Sequence, residues 1–181
     1  SGGTLTIDDA ALDLSGMTVS SRIESSYAGG TIFTVADVAA AFHVYGGGGN
    51  DTLIASGFTL SANQRDSIFL NSSIEAVRDN SGLYGNDQSN VLYAIANDTI
   101  TGQGGSDTFV FSAGFASAVI TDFTPGTDII RIPGELFATS QILDYATQQN
   151  ADVVFDALTG DTLRLYNVNL ASLSLGDFDL I

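Results

Sequence analysis

The sequence predicts an all-β fold, a parallel β-roll or β-helix of stacked glycine-aspartate rungs with short inserted helices and a strand-rich C-terminal cap. Three observations predict it. Asp98 recurs nine positions later as Asp107, each followed by a small polar and then an apolar residue, Thr99-Ile100 and Thr108-Phe109. A cleaner copy of the same unit runs Gly46-Gly47-Gly48-Gly49-Asn50-Asp51-Thr52-Leu53-Ile54. Glycine makes up 20 of the 181 residues, above the ordinary level of about 7%, and the excess falls between short bursts of alternating apolar and polar residues. A nine-residue period fits neither a helix nor a simple hairpin. It fits a tight turn that needs positive φ, followed by a three-residue strand whose central side chain points into a core. Stacking such units gathers backbone carbonyls and Asp carboxylates at one place, an all-oxygen environment that suits Ca²⁺ before Mg²⁺ or Zn²⁺.

Taken in order, Thr4 to Val19 alternates as strands split by a turn near Gly16, and a further burst around Ile23 ends at Gly29-Gly30. Thr34 with Asp37 three residues on resembles a helix start, Thr34 being the N-cap, with Val38, Ala41 and Phe42 on one face. A strand over Phe42–Tyr45 then leads into the intact repeat. Ser61 with Gln64 is a second capping box, opening a helix whose apolar side includes Ile68 and Phe69. Ser73–Val77 alternates as a strand. From Leu83 to Leu92 the chain carries a degraded copy in which Asn90 takes the Asp position. Ala94-Ile95-Ala96 stands where glycines belong, which predicts a different turn and a weakened ion site, because Ala at positive φ costs energy that Gly does not. Gly102 to Asp107 keeps glycines at both key places.

Beyond Phe109-Val110-Phe111, whose phenylalanines are assigned to the core by their alternate spacing, strands Val119–Phe123 and Asp128–Ile132 flank the turn Thr124-Pro125-Gly126-Thr127. Ser140 is expected to cap a short helix through about Gln148. Strands Asp152–Phe155 and Thr162–Tyr166 follow, joined by Leu158-Thr159-Gly160-Asp161. The repeats divide the chain into 1–96, holding N-terminal rungs and the intact repeat, and 97–181, holding the calcium-repeat roll, its cap and the tail.

The chain is long enough to bury roughly 70% of its unfolded surface. Twenty-one acidic residues face five arginines and no lysine, for a formal charge of −16. Such a balance excludes nucleic acid and an anionic membrane as partners and makes bound divalent cations a relief of self-repulsion. Cysteine is absent, which removes disulfides, thiolate metal sites and a Cys nucleophile. No apolar run reaches the roughly 18 residues of a membrane span, no signal peptide opens the chain, and Ser1-Gly2-Gly3 reads as a linker of an excised piece.

The Gly-Gly-x-Gly-x-Asp-x-apolar-x pattern resembles the calcium motif of the repeats-in-toxin family, and Gly46 to Ile54 matches it at every fixed position. From about Asn97 to Ile181 the order "DTFVF", "ITDFTPGTDII", "ATQQNADVVF", "GDTLRLYNVNLASLSLGDFDLI" resembles the C-terminal domain of serralysin-type proteases and other proteins exported by type I secretion. The resemblance implies a non-catalytic, calcium-binding, extracellular module of a Gram-negative bacterium that folds after export. Its implied ligands are Asp51 and Asn50 with the carbonyls of Gly47 and Gly49, Asp107 with Gly102 and Gly104, and Asp98 with Asn97. Asp122 and Asp128 are cap ligands of the family type. The acidic-apolar tail Leu175–Ile181 is expected to address the secretion machinery.

Catalytic signals are poor. A His-Glu-x-x-His helix and a Gly-x-Ser-x-Gly elbow are both absent from the sequence, and His43, the single histidine, is expected to be structural. Among the acids, Asp8, Asp9, Asp51, Asp98, Asp107, Asp122 and Asp128 have the context of cation ligands or caps, not of desolvated acids with raised pKa. Glu24 and Glu75, in matched contexts, read as one repeated rung position. Tyr27, Tyr45, Tyr84 and Tyr93 lie near turns, so an extracellular polysaccharide-binding or adhesion module is the alternative function. A polysaccharide-degrading enzyme ranks behind it.

Overall fold

The structure, a computed structural model, describes residues 3–137 and 142–181. The chain divides into two compact units, Ser1–Gly82 and Leu83–Ile181. In the first unit the chain steps back and forth between two parallel sheets. Strands β1 (Leu5–Ile7), β3 (Ile23–Ser25) and β5 (Val44–Tyr45) form one sheet. Strands β2 (Ala11–Asp13), β4 (Ile32–Val35), β6 (Thr52–Ala55) and β7 (Ala76–Asp79) form the other. Because the register is in phase, inward residues stack in columns: Leu12 on Phe33, Phe33 on Leu53, and Leu53 on Val77. Phe33, Leu53 and Val77 are fully buried, joined by Ile23, Val44, Ile68 and Ile74 in one core.

Two helices interrupt the rungs. α2 (Ala62–Ser72) starts at Ser61 with the capping box expected from the sequence. The Gly46 amide donates to the carbonyl of Ser72, so the end of α2 sits where the strand stacked on β5 would otherwise fall. α1 (Val38–Ala41) is capped by Asp37, whose carboxylate accepts from the Ala40 amide at 2.8 Å. The expected cap, Thr34, instead lies inside β4, because its neighbours Phe33 and Val35 are drawn into the core and keep the backbone extended through Val35.

The second unit repeats the plan. β8 (Gly82–Tyr84), β10 (Thr99–Thr101), β12 (Ser117–Ile120) and β16 (Thr162–Leu165) stack in parallel on one side. β9 (Val91–Tyr93), β11 (Thr108–Val110), β13 (Ile129–Ile132) and β17 (Phe178–Leu180) do so on the other. The interior columns are Leu83-Ile100-Ile120-Leu165 and Leu92-Phe109-Ile130-Phe178. Phe109 and Phe111 are both buried, as their alternation required. The cap departs from the parallel rule, since β14 (Ala146–Gln149) and β15 (Asp152–Asp156) add to β16 as antiparallel strands.

The expected helix up to Gln148 is therefore corrected; its proposed cap Ser140 lies outside the described residues. A single 3-10 turn, Ile142–Tyr145, gives way to β14, because Asn150 adopts a left-handed φ of 57° and closes a hairpin onto Val153, Val154 and Phe155. The architecture is an all-β parallel roll with short inserted helices.

Candidate metal centre at the turn ends

The acidic residues that close the glycine turns point inward and are wired alike. Asp51 is buried; its Oδ1 accepts from the Thr31 amide at 2.6 Å, and its Oδ2 accepts from the Gly47 amide at 3.0 Å. Its own amide donates to Glu75 Oε2 at 2.7 Å. In the second unit Asn90 Oδ1 accepts from the Asn86 amide at 2.7 Å, and the Asn90 amide donates to Asp107 Oδ1 at 2.9 Å. The Asp107 amide then donates to Asp128 Oδ1 at 2.9 Å, while Asp128 Oδ2 accepts from the Thr124 amide at 2.8 Å. Asp177 takes the Gly126 and Ser174 amides, each at 2.6 Å. Asp51, Asn90, Asp128 and Asp177 each clamp their own turn, and successive rungs are joined amide to side-chain oxygen.

The glycines follow from this wiring. Gly49 and Gly105 hold φ of 104° and 107° and pack against the backbone of Gly30 and Gln88 respectively, where a side chain would collide. Gly102 lies beneath Asp107 Oδ2, and a Cβ there would occupy the carboxylate's place.

One turn breaks the pattern. Gln103 adopts φ of 70°, and its amide donates to Asp122 Oδ2 at 2.8 Å, while the Gly102 amide donates to Asp122 Oδ1 at 2.9 Å. Asp51 and Asp128 each accept two main-chain amides; among the described residues Asp107 accepts only that of Asn90. Burial pushes the Asp107 carboxyl up to about 7, with repulsion from Asp128 and Asp122 adding to it. Burial likewise raises Asp51, Glu75 and Asp128 above the ordinary carboxylate range. The sequence expectation that these aspartates are not desolvated is thus corrected for Asp51, Asp107 and Asp128. Stacking covers each turn end with the next rung.

The remaining expected ligands are spread along the turns. Gly47 sits against the carbonyl of Ser25, and Gly104 beside the Asp87 carboxyl. Asn50 is half-buried. Asp98 is buried and its Oδ2 accepts from the Ile95 amide at 2.8 Å. The glycine-poor turn before it does differ: the left-handed residue is Asn97, at φ of 62°, so none of the alanines bears the strain. Among the described residues, no three His, Cys, Asp or Glu side chains converge as a metal-binding group. The donor chemistry fits a hard cation best at Asp107, where every nearby candidate donor is oxygen and one carboxylate oxygen is not taken by a main-chain amide. At Asp51 both oxygens are already engaged.

Some participants escaped the sequence reading. Thr31 carries no motif, and Glu75 was read as a rung position but not as the acceptor of the Asp51 amide. Asp161 was visible in principle, since Asp161-Thr162-Leu163 repeats the Asp-Thr-apolar triplet of Asp51, Asp98 and Asp107. Its carboxylate accepts from the Gly114 and Ala116 amides at 2.9 and 2.8 Å and from the Thr159 hydroxyl at 2.9 Å. Burial works to raise its pKa, yet these donors outweigh it and hold the group below the usual range. Glu24 and Glu75 are not one repeated position: Glu24 pairs with Arg22 at 3.2 Å in one sheet, whereas Glu75 leads into β7 of the other. Arg22 also lies 3.4 Å above the Tyr45 ring. His43 Nδ1 is 2.7 Å from the Ala39 carbonyl, a local tie at the end of α1.

Stacked parallel rungs with carboxylate-clamped turns define a β-roll module. The chain belongs to the family described as the Peptidase M10 serralysin C-terminal domain, whose profile matches residues 25–173. That domain is a non-catalytic module, the family is generally calcium-binding, and its members are parts of type I secreted, extracellular proteins, as this chain is. Among solved structures the chain is similar to the extracellular lipase LipA from Serratia marcescens, at 16% identity over 94% of this chain with a TM-score of 0.35. It spans 42% of that protein's length. No curated protein matched the sequence.

Proposed function

We propose that the chain is the calcium-binding C-terminal module of a type I secreted protein, without catalytic activity of its own. Its turns take up Ca²⁺ outside the cell and so complete folding after export. The observation that carries this reading is Asp107, a buried carboxylate with one main-chain donor, flanked by Asp128 and Asp122. A divalent cation there would favour the ionised form that burial opposes. The ligand set we assign is Asp107 with the carbonyls of Gly102 and Gly104, Asp122 and Asp128 beside it, then Asp98 with Asn97. Asp51 and Asn50 with Gly47 and Gly49 form a second site, in which each Asp51 oxygen already accepts one amide. Functionally the chain divides at 96/97, and the tail from Leu175 is the part that addresses the secretion machinery.

Calcium titration of the metal-free protein, followed by circular dichroism and calorimetry, tests this. Saturable binding in the range of about 10⁻⁴ to 10⁻³ M is expected, weakened more by Asp107→Asn than by Asp51→Asn. Strand content and melting temperature indifferent to Ca²⁺ overturn the reading.

A further inference from the structure

Outside the turn column the cap carries an open cleft of about 370 Å³, lined by Gln148, Asn150, Ala151, Asn167, Val168 and Asn169. Its chemistry is unusual for a chain of net charge −16, because every lining side chain is neutral. The Asp152 carboxylate, which accepts from the amide of the lining residue Asn167 at 3.0 Å, is also bonded by Arg164 Nη1 at 3.1 Å. Gln148 fixes the walls relative to each other. Its Nε2 donates to the carbonyls of Asp152 and Val168 at 2.9 and 3.1 Å, and its Oε1 accepts from the Leu170 amide at 2.7 Å. The β14-β15 hairpin and the loop after β16 are therefore held together by one buttressing amide.

The asparagines are left with capacity to spare. Asn150 and Asn167 stand at left-handed turn positions, φ of 57° and 55°, and both are exposed, with no partner for their carboxamides among the described residues. Asn169 spends its Oδ1 on the Ala171 amide at 2.9 Å and keeps its Nδ2. Each free carboxamide offers paired donors and acceptors. The apolar lining comes from the exposed Ala151 and from Val168, which is itself almost fully buried. Neutral paired donors and acceptors around a small apolar patch match vicinal hydroxyls beside the C–H face of a sugar ring. No charged side chain lines the cleft to offset the desolvation of an ionic ligand, which favours a neutral one.

We propose that this cleft is a binding site for a neutral hexose, free or at the end of a glycan. Its lining includes none of the turn-end aspartates and none of Tyr27, Tyr45, Tyr84 and Tyr93. The test is a titration of the intact calcium-loaded chain with glucose, galactose, mannose and N-acetylglucosamine, reading backbone and side-chain amide NMR signals. At least one sugar should shift the side-chain signals of Asn150, Asn167 and Asn169, with millimolar affinity. The double substitution Asn150→Gly and Asn167→Gly keeps the left-handed backbone and should weaken binding at least about tenfold. Asn169→Ser, which retains an oxygen for Ala171, should weaken it less. Absence of shifts with all four sugars overturns the proposal, as do shifts centred on Tyr27, Tyr45, Tyr84 or Tyr93, or affinity unchanged in the double variant.

Discussion

The amide of Gln103 donates to Asp122, 2.8 Å away and nineteen residues on, instead of to Asp107 four residues on. In the corresponding turns, Gly47, Asn86 and Thr124 each donate to the residue four positions ahead. The left-handed backbone at Gln103 thus leaves one oxygen of Asp107 without a main-chain donor and brings a second carboxylate close to it. Asp122→Asn removes that nearby charge while keeping one oxygen, an acceptor for one of the Gly102 and Gln103 amides. The Asp107 carboxyl should then titrate below its value of about 7. Calcium affinity should fall, because one negative charge is gone. Carbon-13 titration of the Asp107 carboxyl checks the first outcome, and calorimetry the second.

Metal-free stability should fall as pH rises. The folded pKa of Asp107 is raised to about 7, and those of Asp51, Glu75 and Asp128 are raised as well. In the unfolded chain such groups titrate near 4. Their protonated forms therefore favour the fold fully below about pH 4, and that contribution is lost as pH climbs towards 7. Melting temperature in excess chelator should drop across this window, each 1 kcal/mol costing roughly 2–4 °C. Asp107→Asn, which copies the neutral side chain found at Asn90, should flatten the drop.

How much of this was legible in the sequence follows from where each interaction is closed. The inward side chains Leu53, Ile100 and Phe109 were readable, because an Asp-Thr-apolar triplet fixes which side chain points inward. The capping box of Ser61 and Gln64 was readable because both partners lie within one turn. Thr34 misled, since a local cap signal lost to burial of Phe33 and Val35. The β14-β15 hairpin was missed because its apolar partners lie on β16 and its turn depends on Asn150, an asparagine with no glycine beside it. At the turn ends, residue types were legible, but the link from Thr31 to Asp51 spans twenty residues and carries no motif.

Asp161→Ala should destabilise the second unit. It leaves the Gly114 and Ala116 amides without their acceptor and removes the partner of the Thr159 hydroxyl. Each donor left unsatisfied costs about 1–3 kcal/mol if it stays dry, less where water reaches it. Chemical denaturation should show a lower midpoint, and amide exchange should quicken at Gly114 and Ala116. Asp161→Asn should lose less, having one oxygen left to accept.

Asp79 makes the opposite case to Asp107 within the first unit. Its Oδ2 accepts from the Leu60 amide at 3.0 Å and from Arg65 Nη1 at 3.1 Å, and its Oδ1 from the Ser81 amide and hydroxyl at 2.7 and 2.6 Å. Burial works to raise its pKa, but these hydrogen bonds and the Arg65 charge prevail and hold it below the usual range. The sign of its pH dependence is therefore reversed. Its contribution is complete above about pH 4, where the unfolded group is ionised, and disappears as pH falls through the lowered folded value. Asp79→Ala leaves the Arg65 guanidinium, 15% exposed, beside an emptied acceptor. A cost of about 3–5 kcal/mol is expected, as for a broken buried ion pair. Urea unfolding at pH 7 should show the full loss and at pH 3 a smaller one; equal losses at both would mean that packing, not charge, holds Asp79 in place.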